Sequence, residues 1–114
     1  GREFLELHNT QPWPEKLDGW QITGDVNYTM PPGTTIPANG YLVIGADPAG
    51  LQSQYGITGV LGPWTGSLSN AGGEVRLRKK SGSIIIDAAW NGKSPRWPAA
   101  ADGTGHSLVL ARPS

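Results

Sequence analysis

Short segments in which apolar and polar residues alternate run along most of the chain. Leu5 and Leu7 alternate with polar neighbours near the start, and Val75 and Leu77 repeat the pattern later. A period of two predicts strands with one buried face. Clusters of proline and glycine, as at 31–33, separate the segments and predict turns. The pattern therefore predicts an all-β fold of seven to nine short, mostly antiparallel strands, which favours a two-sheet sandwich.

Three local signals depart from simple alternation. Tyr41–Ile44 is an unbroken apolar run, which predicts a central strand that is covered on both sides, or is covered where it meets the second sheet. Asp47 and Pro48 are typical of a helix start and Gly56 of a helix end, so we expect one short helical turn after that strand. The pair Gly24–Asp25 suits a two-residue hairpin turn.

Size and charge exclude several classes of protein. The 114 residues fit one domain, residues 1–114, which we expect to be part of a larger protein. Nine basic residues balance nine acidic ones, so the overall charge gives no support for nonspecific nucleic-acid binding. The absence of cysteine excludes disulfides and thiolate metal sites. No apolar stretch approaches the roughly 20 residues of a membrane span.

The histidines and carboxylates match no motif of catalysis or metal binding. His8 and His106 are the only histidines, and both are expected at outward or edge positions of strands. Asp18, Asp25 and Asp102 each adjoin a glycine, where an aspartate side chain can hydrogen-bond its own turn. We therefore expect no catalytic residue, no cofactor and no metal.

Five tryptophans are many for a small domain. Trp20 and Trp90 lie in predicted strands and are expected in the core. Trp13, Trp64 and Trp97 adjoin prolines in loops, which makes them candidates for exposure and for stacking on sugar rings. The favoured alternative is that they pack with proline and close an end of the sandwich.

A basic run offers a second candidate binding surface. Arg76, Arg78 and Lys80, together with Lys93 and Arg96, could form a patch that binds a polyanion or an acidic partner. The favoured alternative is a solvent-facing strand whose charges discourage edge-to-edge pairing.

Five segments in order resemble the lamin-tail domain of bacterial type, a relative of the intermediate filament tail. They are Glu3–Asn9, Leu17–Ile22, Met30–Val43, Gly66–Leu77 and Trp97–Leu108. The resemblance spans nearly the whole chain and implies an immunoglobulin-like β-sandwich. Family sequences usually begin with a further short strand. We therefore expect a monomer or a weak dimer, and the hypothesis for the dimer is pairing through a missing edge strand.

The resemblance also implies a function. Bacterial members are commonly appended to larger secreted or surface proteins, and in nuclear lamins the same fold is an interaction module. We therefore expect a noncatalytic accessory module, secreted or at the cell surface, that mediates protein contact or attachment within a larger exported bacterial protein. Its partner would be another protein or a neighbouring domain. Glycan binding through the loop tryptophans and polyanion binding through the basic strand are the alternatives.

Overall fold

Among the residues that the structure describes, strands account for most of the regular structure and one helix interrupts them. A computed structural model of the chain describes residues 3–67, 73–90, 100–101 and 105–111. The elements are β1 (Phe4–Asn9), β2 (Glu15–Lys16), β3 (Gln21–Gly24), β4 (Val26–Thr29), β5 (Thr35–Ile36), β6 (Tyr41–Gly45), α1 (Pro48–Tyr55), β7 (Thr65–Gly66), β8 (Gly73–Arg78), β9 (Ile84–Trp90), β10 (Ala100–Ala101) and β11 (His106–Ala111). Seven of these strands have four residues or more, in agreement with the predicted number.

The longer strands form two antiparallel sheets. The first has the order β10–β11–β1–β6, and the second has the order β7–β4–β3–β8–β9. Strands β2 and β5 form a separate small pair. The predicted all-β, immunoglobulin-like sandwich is confirmed. In this arrangement β1 lies inside its sheet and β6 lies at an edge.

The core lies between the two sheets. Leu5 and Leu7 of β1 are buried, as are Val75 and Leu77 of β8, so the inward faces predicted from alternation are confirmed. These side chains form one core cluster, and Trp20, which is 7% exposed, belongs to it. Full burial of an aliphatic side chain contributes about 1.5–3 kcal/mol, so these alternating positions hold the sheets together.

Strand β6 lies at a sheet edge, so the prediction of a central position was wrong, whereas the alternative of cover against the second sheet agrees with the burial of Ile44 in the core. One edge of β6 pairs with β1, while a loop residue, Leu61, covers part of the other edge. The Leu61 amide donates to the Val43 carbonyl at 2.9 Å, and the Gly45 amide donates to the Leu61 carbonyl at 3.0 Å. Tyr41, at the other end of the strand, is 58% exposed.

The helix begins and ends where the sequence predicts. The Asp47 side chain caps the first turn by accepting from the Gly50 amide at 3.1 Å. Gly56 ends the helix in the left-handed region, with φ 65°, and its amide donates to the Gln52 carbonyl. Leu51 is the buried residue of this helix.

The connection between β3 and β4 is longer than the predicted two-residue turn. The pairing of Ile22 with Tyr28 leaves residues 23–27 as the connection. The two strands diverge there, because β3 continues against β8 while β4 continues against β7.

The turn aspartates bind distant segments rather than their own turns. The Asp25 carboxylate accepts from the Glu74 amide at 3.1 Å, and the Asp25 amide donates to the Glu74 carbonyl at 3.0 Å. The Asp18 carboxylate accepts from the Gly33 amide at 2.9 Å. Asp102 lies outside the described residues. The expectation of local turn bonds is therefore wrong for Asp18 and Asp25, whose carboxylates join separate parts of the fold.

Candidate protein-contact face

The outward side of the first sheet carries many apolar side chains. Strand β1 alternates between buried and half-buried positions, and its cross-strand partners share the same side of the sheet. We call this outward surface the β1 face; it consists of Phe4, Glu6, His8, Tyr41, Val43, Ser107 and Val109. In antiparallel sheets with one solvated side, outward positions are usually polar. The β1 face departs from that rule.

Aromatic rings bound the β1 face at two ends. The rings of His8 and Tyr41 are stacked, with centroids 4.2 Å apart and planes 6° apart. At the other end Phe4 contacts Tyr55 of the helix edge-on, with centroids 6.1 Å apart. Tyr41 is 58% and Tyr55 47% exposed. Exposed tyrosines supply large contact areas at low entropic cost, which suits them to protein interfaces.

Helix α1 covers one end of the β1 face. Leu51 is buried against Gly45, which pairs with Phe4, and a Cβ atom at Gly45 would collide with the Leu51 side chain. Leu51 and Val60 are buried but lie outside the core cluster between the sheets. The helix therefore has its own small apolar contact at the Phe4 end.

The outward side of the second sheet is polar by comparison. We call it the β8 face; it consists of Gln21, Thr23, Asn27, Thr29, Glu74, Arg76, Arg78, Ile84, Asp87 and Ala89. Two of its members, Ile84 and Ala89, are apolar. The two outward surfaces of the sandwich thus differ in polarity. The more apolar of them, the β1 face, is better suited to contact with another molecule.

The arginine at the centre of the predicted basic patch is paired. Arg76 forms ion pairs with Glu74 at 2.8 Å and with Asp87 at 3.4 Å. These carboxylates, Asp87 foremost, raise the pKa of the Arg76 guanidinium above its usual value. The local charge around Arg76 is therefore balanced within the domain.

The other members of the basic patch are divided. Arg78 donates to the Thr23 hydroxyl at 3.1 Å and to the Gly82 carbonyl at 3.0 Å. Lys80 is exposed at the hairpin turn. Lys93 and Arg96 lie outside the described residues. Polyanion binding by this set stays a prediction, and two of its arginines already bond within the domain.

The three loop tryptophans do not share one environment. Trp13 is 57% exposed, whereas Trp64 is 6% exposed and belongs to the core cluster. Trp97 lies outside the described residues. Trp64 was a candidate for exposure, and its burial agrees with the favoured interpretation, in which a loop tryptophan packs to close the sandwich. Trp64 immediately precedes β7, whose pairing with β4 holds this segment on the second sheet.

The two histidines also differ in exposure. His8 is half-buried on the outward side, as predicted, but His106 is only 6% exposed, so its predicted outward position is wrong. His106 pairs with the buried Asn9 across the sheet and shares its inward side. Its Nε2 atom lies 3.1 Å from a carboxylate oxygen of Glu15, and its ring meets Trp20 edge-on at 5.6 Å.

A groove of about 480 Å³ opens beside this histidine. Its walls include Glu15, Lys79, Ile84 and His106, so it combines a carboxylate–imidazole pair with one ammonium group and an apolar side chain. In the part of the chain that the structure describes, no three His, Asp or Glu side chains are placed to hold a metal ion. Within the same residues, α1 is too short to cross a membrane.

Sequence reasoning missed the β1 face, although a signal was present. Phe4 is apolar at an outward position of the β1 alternation, and Tyr41 and Val43 are apolar at alternate positions of β6. Val109 adds the same feature on β11. Apolar residues on both sides of a strand favour burial on both sides, but here one side of β6 belongs to an outward surface.

Comparison with known proteins identifies one family. A model of the Lamin Tail Domain family matches residues 1–92 of the chain. No curated protein and no solved structure matched. The family model covers most of the chain, and its immunoglobulin-like fold agrees with the observed sandwich.

Proposed function

The chain belongs to the lamin tail domain family, and we propose that it is an accessory protein-contact module whose contact surface is the β1 face. The family consists of immunoglobulin-like interaction domains that are generally noncatalytic. Beyond this general role of the family, the proposal specifies a contact surface and a kind of partner, which is another protein or a neighbouring domain.

The contrast between the two outward surfaces carries the proposal. The β8 face is polar and its central arginine is neutralised by carboxylates, while the β1 face presents Tyr41, Val43 and Val109 beside the half-buried Phe4. At solvent-facing sheet positions such residues leave apolar area in water, and covering them with a partner removes that area from water. Tyrosine is among the residues that dominate binding energy at interfaces.

The cellular setting belongs to the same proposal. The closing segment of the chain, Trp97–Leu108, resembles bacterial members that are attached to larger exported proteins. A secreted or cell-surface location, and a role in attaching the parent protein, follow from that resemblance.

The two alternative functions have less support. A sugar-stacking platform of Trp13, Trp64 and Trp97 would lose Trp64, since this side chain is part of the core. A polyanion site would depend on Arg76, whose charge is matched by Glu74 and Asp87.

Peptide selection tests the proposal, because it requires no named partner. Short peptides from a randomised phage library are selected on the immobilised 114-residue chain and titrated by calorimetry. Tyr41→Ser should weaken the selected peptides about tenfold or more, because loss of a tyrosine anchor costs about 2 kcal/mol and 1.4 kcal/mol corresponds to tenfold.

Trp13→Ser is the matched control, because Trp13 is as exposed as Tyr41 but does not belong to the β1 face. It should leave the affinities unchanged. Peptides that lose affinity with Trp13→Ser and keep it with Tyr41→Ser would overturn the proposal, and so would a library that yields no binders. Thermal melting of both variants checks that each remains folded.

A further inference from the structure

A single carboxylate lies at the centre of the β1 face. Glu6 is half-buried, and the strand register places Val43 on one side of it and Val109 on the other. Phe4 and His8 flank it along its own strand. Among the described residues, none hydrogen-bonds or ion-pairs with the Glu6 carboxylate, and none on this face is a lysine or arginine.

This placement restricts what can cover the face. A partner that is wholly apolar would remove water from Glu6 without replacing its hydrogen bonds, and an unpaired buried charge is strongly unfavourable. An acidic partner would add like-charge repulsion. A partner with one cationic side chain would turn the same carboxylate into a charge-assisted bond in surroundings of low dielectric constant.

The flanking rings favour an arginine over other cations. Side chains two residues apart on one side of a strand are separated by roughly 7 Å. A guanidinium bonded to Glu6 therefore lies within reach of both Phe4 and the stacked pair of His8 and Tyr41. Arginine combines two-point bonding to a carboxylate with stacking on aromatic rings, which lysine does not do.

A second copy of this chain fits poorly as the occupant. In a symmetric dimer each subunit uses the same patch, so a contact centred on the β1 face would bring two Glu6 carboxylates together at the axis. That repulsion disfavours self-association through this face and favours a different protein segment.

We propose that the β1 face recognises a partner segment that presents an arginine among apolar side chains, with Glu6 as the acceptor of its guanidinium. This inference rests on the proposed function. It predicts that the peptides selected on the immobilised chain share an arginine flanked by apolar residues.

A double-mutant cycle tests the pairing. Glu6→Gln is combined with a selected peptide in which citrulline, a neutral analogue of the same shape, replaces the arginine. Each single change should weaken binding about tenfold or more, and the double change should cost little beyond either single change. Glu74→Gln on the β8 face is the control and should not alter affinity.

The outcomes separate this inference from the proposed function. If Tyr41→Ser abolishes binding while Glu6→Gln and citrulline have no effect, the face binds a partner but the arginine pairing is wrong. If none of the three changes matters, the proposed function fails as well. A concentration-dependent dimer in sedimentation velocity that Tyr41→Ser dissolves would identify a second copy as the occupant and overturn the inference.

Discussion

Asn9 is a fully buried polar residue at the end of β1, and its removal should weaken the fold substantially. Its side-chain amide donates to the carbonyls of Trp13 at 2.8 Å, Pro37 at 3.2 Å and Ile36 at 3.3 Å. Its side-chain carbonyl accepts from the Gln11 amide at 3.1 Å. One side chain thus joins the first strand to two separate loops.

The magnitude follows from the bonds that Asn9→Ala removes. The amide group has two hydrogens to donate and also accepts one bond, so about three effective hydrogen bonds are lost. At about 1 kcal/mol each, the free energy of unfolding should fall by about 3 kcal/mol. The urea midpoint should fall by about 1–3 M, for a slope of about 1–3 kcal/mol/M.

Asn9→Asp has the same shape but a different pH dependence. When it is ionised, the introduced carboxylate faces the carbonyl oxygens of Trp13, Ile36 and Pro37 without a proton to donate. The folded state therefore raises the pKa of this carboxyl above its unfolded value of about 3.9, so the destabilisation grows as the pH rises above that value and is complete only above the folded pKa. At pH 7 the loss should exceed that of Asn9→Ala.

Asn27→Ala is the control, since Asn27 is exposed and its single side-chain bond to the Gly24 carbonyl is long, at 3.4 Å. It should change stability by less than about 0.5 kcal/mol. Equal urea midpoints for Asn9→Ala and the wild type, or an Asn9→Asp penalty that does not depend on pH, would refute this account of Asn9.

Three further substitutions test other parts of the fold by urea denaturation. Trp64→Ala should cost about 3–5 kcal/mol because the side chain is in the core; a loss no larger than that of Trp13→Ala would contradict its burial. Gly24→Ala should cost about 1–3 kcal/mol, since Gly24 has φ 113° and a Cβ atom would lie 2.6 Å from the Glu74 carbonyl oxygen. An unchanged urea midpoint would contradict this steric restriction at Gly24. Asp47→Ala should cost about 1 kcal/mol through the lost helix cap, and Asp47→Asn, which keeps an acceptor, should cost less.

Local patterns were sufficient to predict much of the sandwich. The period of two around Leu5 and Leu7 gave the correct buried side of β1, because alternation depends on geometry within one strand. The signals at Asp47, Pro48 and Gly56 placed the helix correctly for a similar reason, since capping involves only near neighbours.

Properties that depend on distant partners were missed. The run at Tyr41–Ile44 does not reveal that β6 lies at a sheet edge, since strand order is set by pairing across the chain. His106 is buried on the inward side of its sheet, where it contacts Glu15 and Trp20, both far away in sequence. Trp64 adjoins one proline and Trp13 lies between two, yet Trp64 is in the core, because the strand that follows it pairs with the second sheet.

The candidate site depends on the same kind of information. The alternation around Leu5 and Leu7 is sufficient to place their polar neighbours, Glu6 and His8, on the outward side of β1. The sequence alone does not place Val43 and Val109 on either side of Glu6. The register of three strands creates the β1 face. The alternation in β1 also contained a signal for Asn9: it places this polar residue at an inward position.

A chemical-shift map tests the central claim most directly. The 15N-labelled chain is titrated with an arginine-containing peptide from the selection, and amide shifts are followed residue by residue. The account predicts the largest changes at Glu6, Tyr41, Val43 and Val109, with little change in the hairpin of β8 and β9. Largest changes in that hairpin or around Glu15 and His106, with the β1 face unaffected, would contradict it.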